Sequence, residues 1–171
     1  MPGPEPLKPI DVVVALRLAE TPEARYEQLR GDLGISASWA HGAVQRLRAA
    51  GLLRPDSRTV NRLALKEFLE HGLRYAFPAH PGAERRGVPT AHSGPPLAAR
   101  IVAEDSLVWP SLSGTTVGRG IAPLYPQATE LPQRCPSLYD NLTLVDALRV
   151  GRARERKLAG EELERRLAPV P

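Results

Sequence analysis

The first third of the chain spaces its apolar side chains at the period of a helix. Residues 9–20 begin with a proline, which suits a first helical turn, and they offer several valines and leucines for burial. Residues 25–33 indicate a second, shorter helix, which Gly34 ends. The chain therefore begins with two predicted helices and a tight turn.

A third helix is predicted after this turn, capped by Ser36 or Ser38 and ending near Ala50. Its apolar stripe has the spacing i, i+3, i+4 and i+7, and consists of Ala40, Ala43, Val44 and Leu47. Residues 52–60 predict two short strands around a tight turn, and a fourth helix follows as far as residue 77. The predicted order is helix, helix, helix, hairpin, helix.

The character of the sequence changes after residue 77. Residues 78–136 are rich in proline and glycine, and they predict an irregular but ordered extension with short strands at SLVWP and GIAPLYP. Residues 137–171 indicate a helix to about Leu148 and a charged helical continuation to Leu167. Residues 1–7 are expected to form a frayed N-terminus. The predicted fold class is mainly α with a small β-hairpin.

Composition narrows the possible classes of function. The chain has 171 residues, one cysteine, a net charge of +4 and a pI of about 9.6. This charge permits a nucleic-acid partner without requiring one. A single cysteine forms no intramolecular disulfide and fits a reducing compartment. The sequence has no apolar run that could span a membrane and no apolar signal region, so we expect a cytoplasmic protein without a membrane partner.

The sequence shows no recognisable catalytic or metal-binding pattern. The glycine-rich stretch GTTVGRG lacks the Lys-Ser/Thr ending of a phosphate loop, and the serines lack the spacing of a nucleophile elbow. No metal-ligand spacing relates the four histidines, His41, His71, His80 and His92. We therefore expect no enzyme activity, no metal and no cofactor.

The third helix carries a polar face opposite its apolar stripe. This face is predicted to consist of Ser38, Gly42, Gln45 and Arg46, with almost no acidic residue in the surrounding segment. A helix in the major groove of DNA needs such a face, because acidic side chains would meet phosphate oxygens. Glutamine can pair with adenine and arginine with guanine through two hydrogen bonds each, and a glycine permits close approach.

Further candidates flank this face. His41 and Arg48 lie on one flank, where each either contacts phosphate or is merely solvated, and Trp39 on the other either touches DNA or packs against the second helix or the hairpin. Arg54 and Arg58 flank the hairpin turn and can reach phosphate or the minor groove, although exposed hairpins often carry charges for other reasons. The complete set of DNA-binding candidates is Ser36, Ser38, Trp39, His41, Gly42, Gln45, Arg46, Arg48, Arg54 and Arg58.

The motif "LGIS…AVQRLRAAGLL" resembles the winged helix-turn-helix of bacterial transcription regulators of the MarR/ArsR type. The resemblance covers residues 8–77 and implies a recognition helix at Ser36–Ala50, a wing at Leu52–Val60 and binding to double-stranded DNA as a repressor. The stretches "VNRLALKEFLEHGLRYAF" and "LVDALRVGRARER" also resemble bacterial winged-helix proteins associated with toxins of the nucleotidyltransferase type. This second resemblance implies an antitoxin or an autorepressor.

The last helix offers either a solvated surface or a dimer interface. Six apolar residues could form a seam against a second copy, namely Leu142, Val145, Leu148, Leu158, Leu163 and Leu167. A homodimer would double the number of base pairs that one short recognition helix reads. The alternative function is a protein-interaction module that binds a partner such as a toxin through the C-terminal half and uses the winged helix as a scaffold.

Overall fold

The computed structural model describes residues 3–169 and is mainly helical, with a small three-stranded sheet. Residues 1 and 2, part of the predicted frayed N-terminus, and residues 170 and 171 lie outside the described residues. The first three helices are α1 (Pro9–Glu20), α2 (Tyr26–Leu33) and α3 (Ala37–Ala49). They confirm the helices predicted for the start of the chain.

Helix α1 is buried on almost every side. Nine of its twelve residues are buried, including the carboxylate of Asp11. The helix packs against both α3 and α8 (Pro136–Val150), a helix of the C-terminal half. A helix between two layers needs apolar residues all round. This position explains the uninterrupted run of valines in its sequence.

The turn between α2 and α3 depends on Gly34 and Ser36. Gly34 has a φ of +67°, a conformation in which glycine avoids the clash of a Cβ atom. The Ser36 hydroxyl accepts a hydrogen bond from the backbone N–H of Trp39 at 3.2 Å, so Ser36 caps α3. The predicted apolar stripe of α3 is fully buried: Ala40, Ala43, Val44 and Leu47.

A short hairpin, residues 52–60, follows α3. Its predicted strands are reduced to one antiparallel bridge between Leu53 and Val60, next to a hydrogen bond from the Arg54 N–H to the Thr59 carbonyl at 2.9 Å. Leu53 and Val60 are both buried. The hairpin is therefore anchored to the core at its base and exposes its tip.

The predicted fourth helix consists of three consecutive segments. It begins as α4 (Arg62–Glu67), continues through a π-helical turn (Phe68–Gly72) and ends as α5 (Leu73–Ala76), shortly before Pro78. Its core face is lined by Leu65, Leu69 and Leu73, which are all buried.

Residues 78–136, for which an irregular extension with short strands was predicted, contain a small sheet. Strand β1 (Glu84–Pro89) pairs antiparallel with β2 (Leu107–Pro110) and β3 (Thr116–Gly120), and β2 and β3 pair in parallel. The three strands thus close into a small barrel. Strand β2 confirms the SLVWP prediction. The GIAPLYP prediction is wrong, because β3 ends at the first residue of that stretch.

Glycine permits the strands of this barrel to approach closely. A Cβ atom on Gly87 would overlap the carbonyl group of Trp109, and a Cβ on Gly118 would lie 2.5 Å from the carbonyl oxygen of Ser106. Strand glycines often mark such close backbone contacts. The glycine content that suggested irregular chain therefore supports tight strand packing.

Short helical segments connect the barrel to the C-terminal helices. They are a 3-10 turn (Ala91–Ser93), α6 (Pro95–Ala98), a second 3-10 turn (Pro126–Glu130) and α7 (Leu131–Arg134). Helix α8 and α9 (Ala153–Leu167) then complete the chain, separated by Gly151. Within residues 3–169, no helix combines the length and the apolar character that crossing a membrane requires.

The C-terminal helices share one hydrophobic core with the N-terminal helices. Eleven of the fifteen residues of α8 are buried, and the core extends from Ile10 to Leu167. The prediction of an apolar seam against a second copy is wrong, because these side chains pack inside their own chain. Leu158 is partly buried, and the other members of the seam are buried: Leu142, Val145, Leu148, Leu163 and Leu167.

Candidate nucleic-acid interface

The side of α3 opposite its apolar stripe presents one row of small or uncharged side chains. Ser38, Gly42, Gln45 and Ala49 have the spacing i, i+4, i+7 and i+11, which places them on one face of a helix. Gly42 is half-buried, and the other three residues are exposed. We call these four residues the outer row. No member of the row carries a charge.

Arg46 lies outside the outer row, and the prediction that it reads guanine is wrong. Its side chain is 8% exposed, and two of its nitrogens donate to the two carboxylate oxygens of Asp11, each at 2.8 Å. The remaining terminal nitrogen lies 3.3 Å from the carboxylate of Glu5. The hydrogen bonds to Asp11 hold the pKa of Arg46 above its ordinary value. Its donors are therefore already occupied.

The burial of Asp11 explains the position of Arg46. A fully buried carboxylate needs a cation and further donors, because an isolated buried charge is strongly destabilising. The backbone N–H of Lys8 supplies one such donor at 2.8 Å. The signal for this pair is present in the sequence, since Asp11 stands within an otherwise apolar run.

Gly42 makes room for Arg46 rather than for a ligand. A Cβ atom at Gly42 would lie 3.0 Å from a terminal nitrogen of Arg46. Packing against Arg46 therefore explains why position 42 is a glycine, without the close approach to DNA that was predicted for it. The glycine remains in the outer row, between Ser38 and Gln45.

His41 and Arg58 both lie against the ring of Tyr26 in α2. The His41 and Tyr26 rings stack with their centroids 4.0 Å apart, and the Arg58 guanidinium carbon lies 5.0 Å from the Tyr26 centroid. Arg58 also donates to the carbonyl oxygen of Ala24 at 2.6 Å. These contacts join α2, α3 and the hairpin into one surface.

Tyr26 and Arg25 were missed by the sequence analysis. Tyr26 is half-buried and supports this surface through its contacts with His41 and Arg58. Arg25, the residue before it, is exposed. An aromatic residue at the first position of a short helix was the available signal.

Arg48 and Arg54 extend the surface along the hairpin. Arg48 donates to the carbonyl oxygen of Ser57 and to the side-chain oxygen of Gln45, each at 3.4 Å. Its Nε is buried and has no hydrogen-bond partner among residues 3–169. Arg54 is exposed near the hairpin tip. One arginine is thus held between α3 and the hairpin, and the other faces solvent.

Trp39 lies on the flank of α3 opposite the Tyr26 stack. Its indole is 50% exposed and borders a cleft of about 580 Å³ formed with the start of α1 and with Tyr125. This flank faces away from α2 and the hairpin, so the packing expected for Trp39 is wrong. Ser36 and Ser38 are exposed beside it, at the beginning of α3.

The positive charge of the protein is concentrated in this part of the chain. Residues 34–62 contain five arginines and one acidic residue, Asp56. The formal net charge of this segment is therefore +4, the same as that of the whole chain. In the rest of the chain the basic and acidic residues are equal in number. Arg46 is neutralised by Asp11, and Arg62 donates to the carbonyl oxygens of Leu167 and Ala19. The cations on the surface of this segment are Arg48, Arg54 and Arg58.

Comparisons with models of known protein families, with curated protein sequences and with solved structures return no significant match.

Proposed function

We propose that this protein binds double-stranded DNA sequence-specifically and represses transcription in the bacterial cytoplasm, with α3 in the major groove. The position of the charge carries the proposal, since Arg48, Arg54 and Arg58 lie at the surface of residues 34–62, a segment with one acidic residue, Asp56. A segment with a single acidic side chain can meet phosphates with little repulsion. In this proposal the protein is not an enzyme and uses no cofactor.

The order of the helices supports this function. In the proposal α2, the turn at Gly34 and α3 act as a helix-turn-helix, and the hairpin acts as a wing, as in the MarR/ArsR-type regulators that the sequence resembles. The recognition helix of this motif contacts base edges from the major groove. Arg48, Arg54 and Arg58 would then lie along the DNA backbone, with the outer row toward the bases.

Two copies act together in this proposal. One short helix reads few base pairs, whereas a homodimer reads two half-sites about one duplex turn apart. Most of each side chain in the seam predicted on the last helix is covered within the chain, but Leu148, Leu163 and Leu167 line a groove at its surface. Leu63 is 79% exposed and borders an apolar groove between α4 and α9, which makes this groove the proposed interface with a second copy.

Fluorescence anisotropy with the full chain tests the proposed function. The labelled duplexes carry either the region upstream of the protein's own gene or a scrambled sequence of the same composition. We expect a preference for the native duplex of at least about a thousandfold. Equal affinity for both duplexes would contradict sequence-specific binding, and no binding at low salt would contradict any DNA-binding function.

A charge reversal at the hairpin tip locates the interface. We expect Arg54→Glu to weaken binding to every duplex at least tenfold, because it places a carboxylate against phosphate. Arg154→Glu is the matched control, since Arg154 is equally exposed but lies on α9. If both variants lose affinity to the same extent, the interaction reflects overall charge rather than this surface.

A protein-interaction module is the second candidate function. Val102 and Leu112 are fully exposed and Val117 is half exposed around the small barrel, and exposed apolar residues can mark a contact with a partner such as a toxin. Coelution with the product of the adjacent gene tests this function. The variant Leu112→Glu should abolish coelution if the barrel is the contact, whereas Arg54→Glu should leave it intact.

A further inference from the structure

The pairing of Arg46 with Asp11 has a consequence for the DNA sequence that α3 can recognise. Arginine and lysine are the side chains that most often recognise guanine, by donating to its N7 and O6 acceptors. The two carboxylate bonds at 2.8 Å hold the Arg46 guanidinium inside the protein, on the side of α1. The outer row is left with a hydroxyl, an amide, a glycine and a methyl group.

The nearby surface arginines are directed elsewhere. Arg48 is tied to the Ser57 carbonyl, and Arg58 is tied to the Ala24 carbonyl and the Tyr26 ring. Arg48 lies on the flank of α3 that faces the hairpin and Arg58 lies in the hairpin itself, and both positions suit phosphates rather than base edges. Arg54 lies beyond this flank, near the hairpin tip.

The groups of the outer row match the edges of A·T pairs. The amide of Gln45 can accept from adenine N6 and donate to adenine N7 at the same time. Arg48 also donates a long hydrogen bond, of 3.4 Å, to the side-chain oxygen of this amide. The exposed methyl of Ala49, one turn further along, suits apolar contact with the methyl group of thymine. Ser38 accepts or donates and therefore discriminates little.

We propose that α3 recognises A·T base pairs, with Gln45 selecting adenine and Ala49 contacting the thymine methyl group. The inference rests on the proposed DNA-binding function and names the class of sequence it selects. In this assignment Arg46 is structural, and Gln45 is the residue that determines specificity.

In vitro selection by the full chain from a random 30-base-pair library tests the assignment. We expect the parent protein to enrich a half-site of A·T pairs. At one of these pairs, Gln45→Ala should reduce the preference for adenine by roughly 5- to 150-fold, which is the range for the loss of one bidentate contact. The variant Gln45→Arg should shift that position to guanine. The matched control is Gln133→Ala, an exposed glutamine on α7 that should leave the motif unchanged.

The possible results separate the assignment from the function on which it rests. Enrichment of G·C pairs, or a motif that survives Gln45→Ala, overturns the assignment while DNA recognition stands. Binding without any enriched motif also overturns it and leaves a non-specific DNA-binding protein. Failure to bind any duplex at low salt overturns the proposed function and the assignment together.

Discussion

The pair formed by Asp11 and Arg46 links the two layers of the N-terminal helices. Asp11 is completely buried in α1, and Arg46 reaches it from α3 with two parallel hydrogen bonds. A buried pair of this kind gains little over apolar packing, but removing one partner leaves the other charge without compensation. The pair therefore fixes the position of α3 on α1 more than it adds stability.

Removal of Arg46 should destabilise the fold strongly. We expect Arg46→Ala to lower the free energy of unfolding by about 3–5 kcal/mol, because Asp11 stays buried without its cation. Urea denaturation followed by circular dichroism measures the change. The control Arg30→Ala, at an exposed site on α2, should change it by less than about 0.5 kcal/mol.

A double substitution separates this role from DNA recognition. The variant Asp11→Leu with Arg46→Met should recover most of the lost stability, since apolar groups of similar size replace both charges. It should also retain DNA affinity if Arg46 makes no base contact. If the double variant is stable but has lost its affinity for DNA, Arg46 contacts DNA in the parent protein.

Helix α9 carries a charge cluster that makes its stability depend on pH. Glu162 accepts hydrogen bonds from Arg165 and from Arg166, the latter at 2.7 Å. The bond from Arg165 is the larger cause, and together the two arginines lower the pKa of Glu162 from 4.5 to about 2. A carboxylate with a lowered pKa stabilises the folded state above its unfolded value and loses that effect as the pH falls.

The expected signature is a stability difference that disappears in acid. We expect Glu162→Gln to lower the melting temperature at pH 6, with the gap to the parent protein closing between pH 4.5 and about 2. Thermal melts across this range measure the gap. The neighbour Glu161, with Lys157 as a distant partner at 4.0 Å, provides the control Glu161→Gln. A gap for Glu162→Gln that persists unchanged at pH 2 would contradict the assigned pKa.

Local elements of the N-terminal half were predictable because their signals are local. The proline at the start of α1, the cap at Ser36 and the apolar stripe of α3 act within a few residues, and they determined helices in the predicted order. The sheet was less predictable. Strand β1 has few apolar residues, and its glycine at Gly87 is required by a strand that lies about twenty residues further along.

The candidate surface was predictable in part. Exposure of Ser38 and Gln45 follows from the helical period, which also places Arg46 near the polar side of α3. The burial of Arg46 depends on Asp11, thirty-five residues earlier, and helical periodicity contains no information on such a pair. The seam on the last helix was misassigned for the same reason, because periodicity shows that a face is buried but not what covers it.

At the scale of the molecule, the net charge outside residues 34–62 is zero, and three arginines lie at the surface of that segment. Because one core joins α1 to α8 and α9, the N-terminal helices are held by the C-terminal half, and α3 is supported on its buried side by α1. Helix α3 carries Arg48, and the hairpin anchored by Leu53 and Val60 carries Arg54 and Arg58. Their number then determines how strongly salt weakens binding to DNA.

The salt dependence of DNA binding measures how many of these arginines contact phosphates and how many copies of the protein are bound. Each neutralised phosphate contributes about −0.9 to the slope of log K against log salt concentration, so three arginines give about −2.7 for one copy and about −5.4 for two. We expect the steeper slope in anisotropy titrations from roughly 50 to 200 mM salt. The variant Arg54→Gln should reduce the slope by about 1 for each bound copy, and Arg154→Gln should leave it unchanged. A slope near that of one copy would contradict the homodimer and leave the monomer as the binding species, whereas an equal loss in both variants would show that the phosphates are not met at the hairpin.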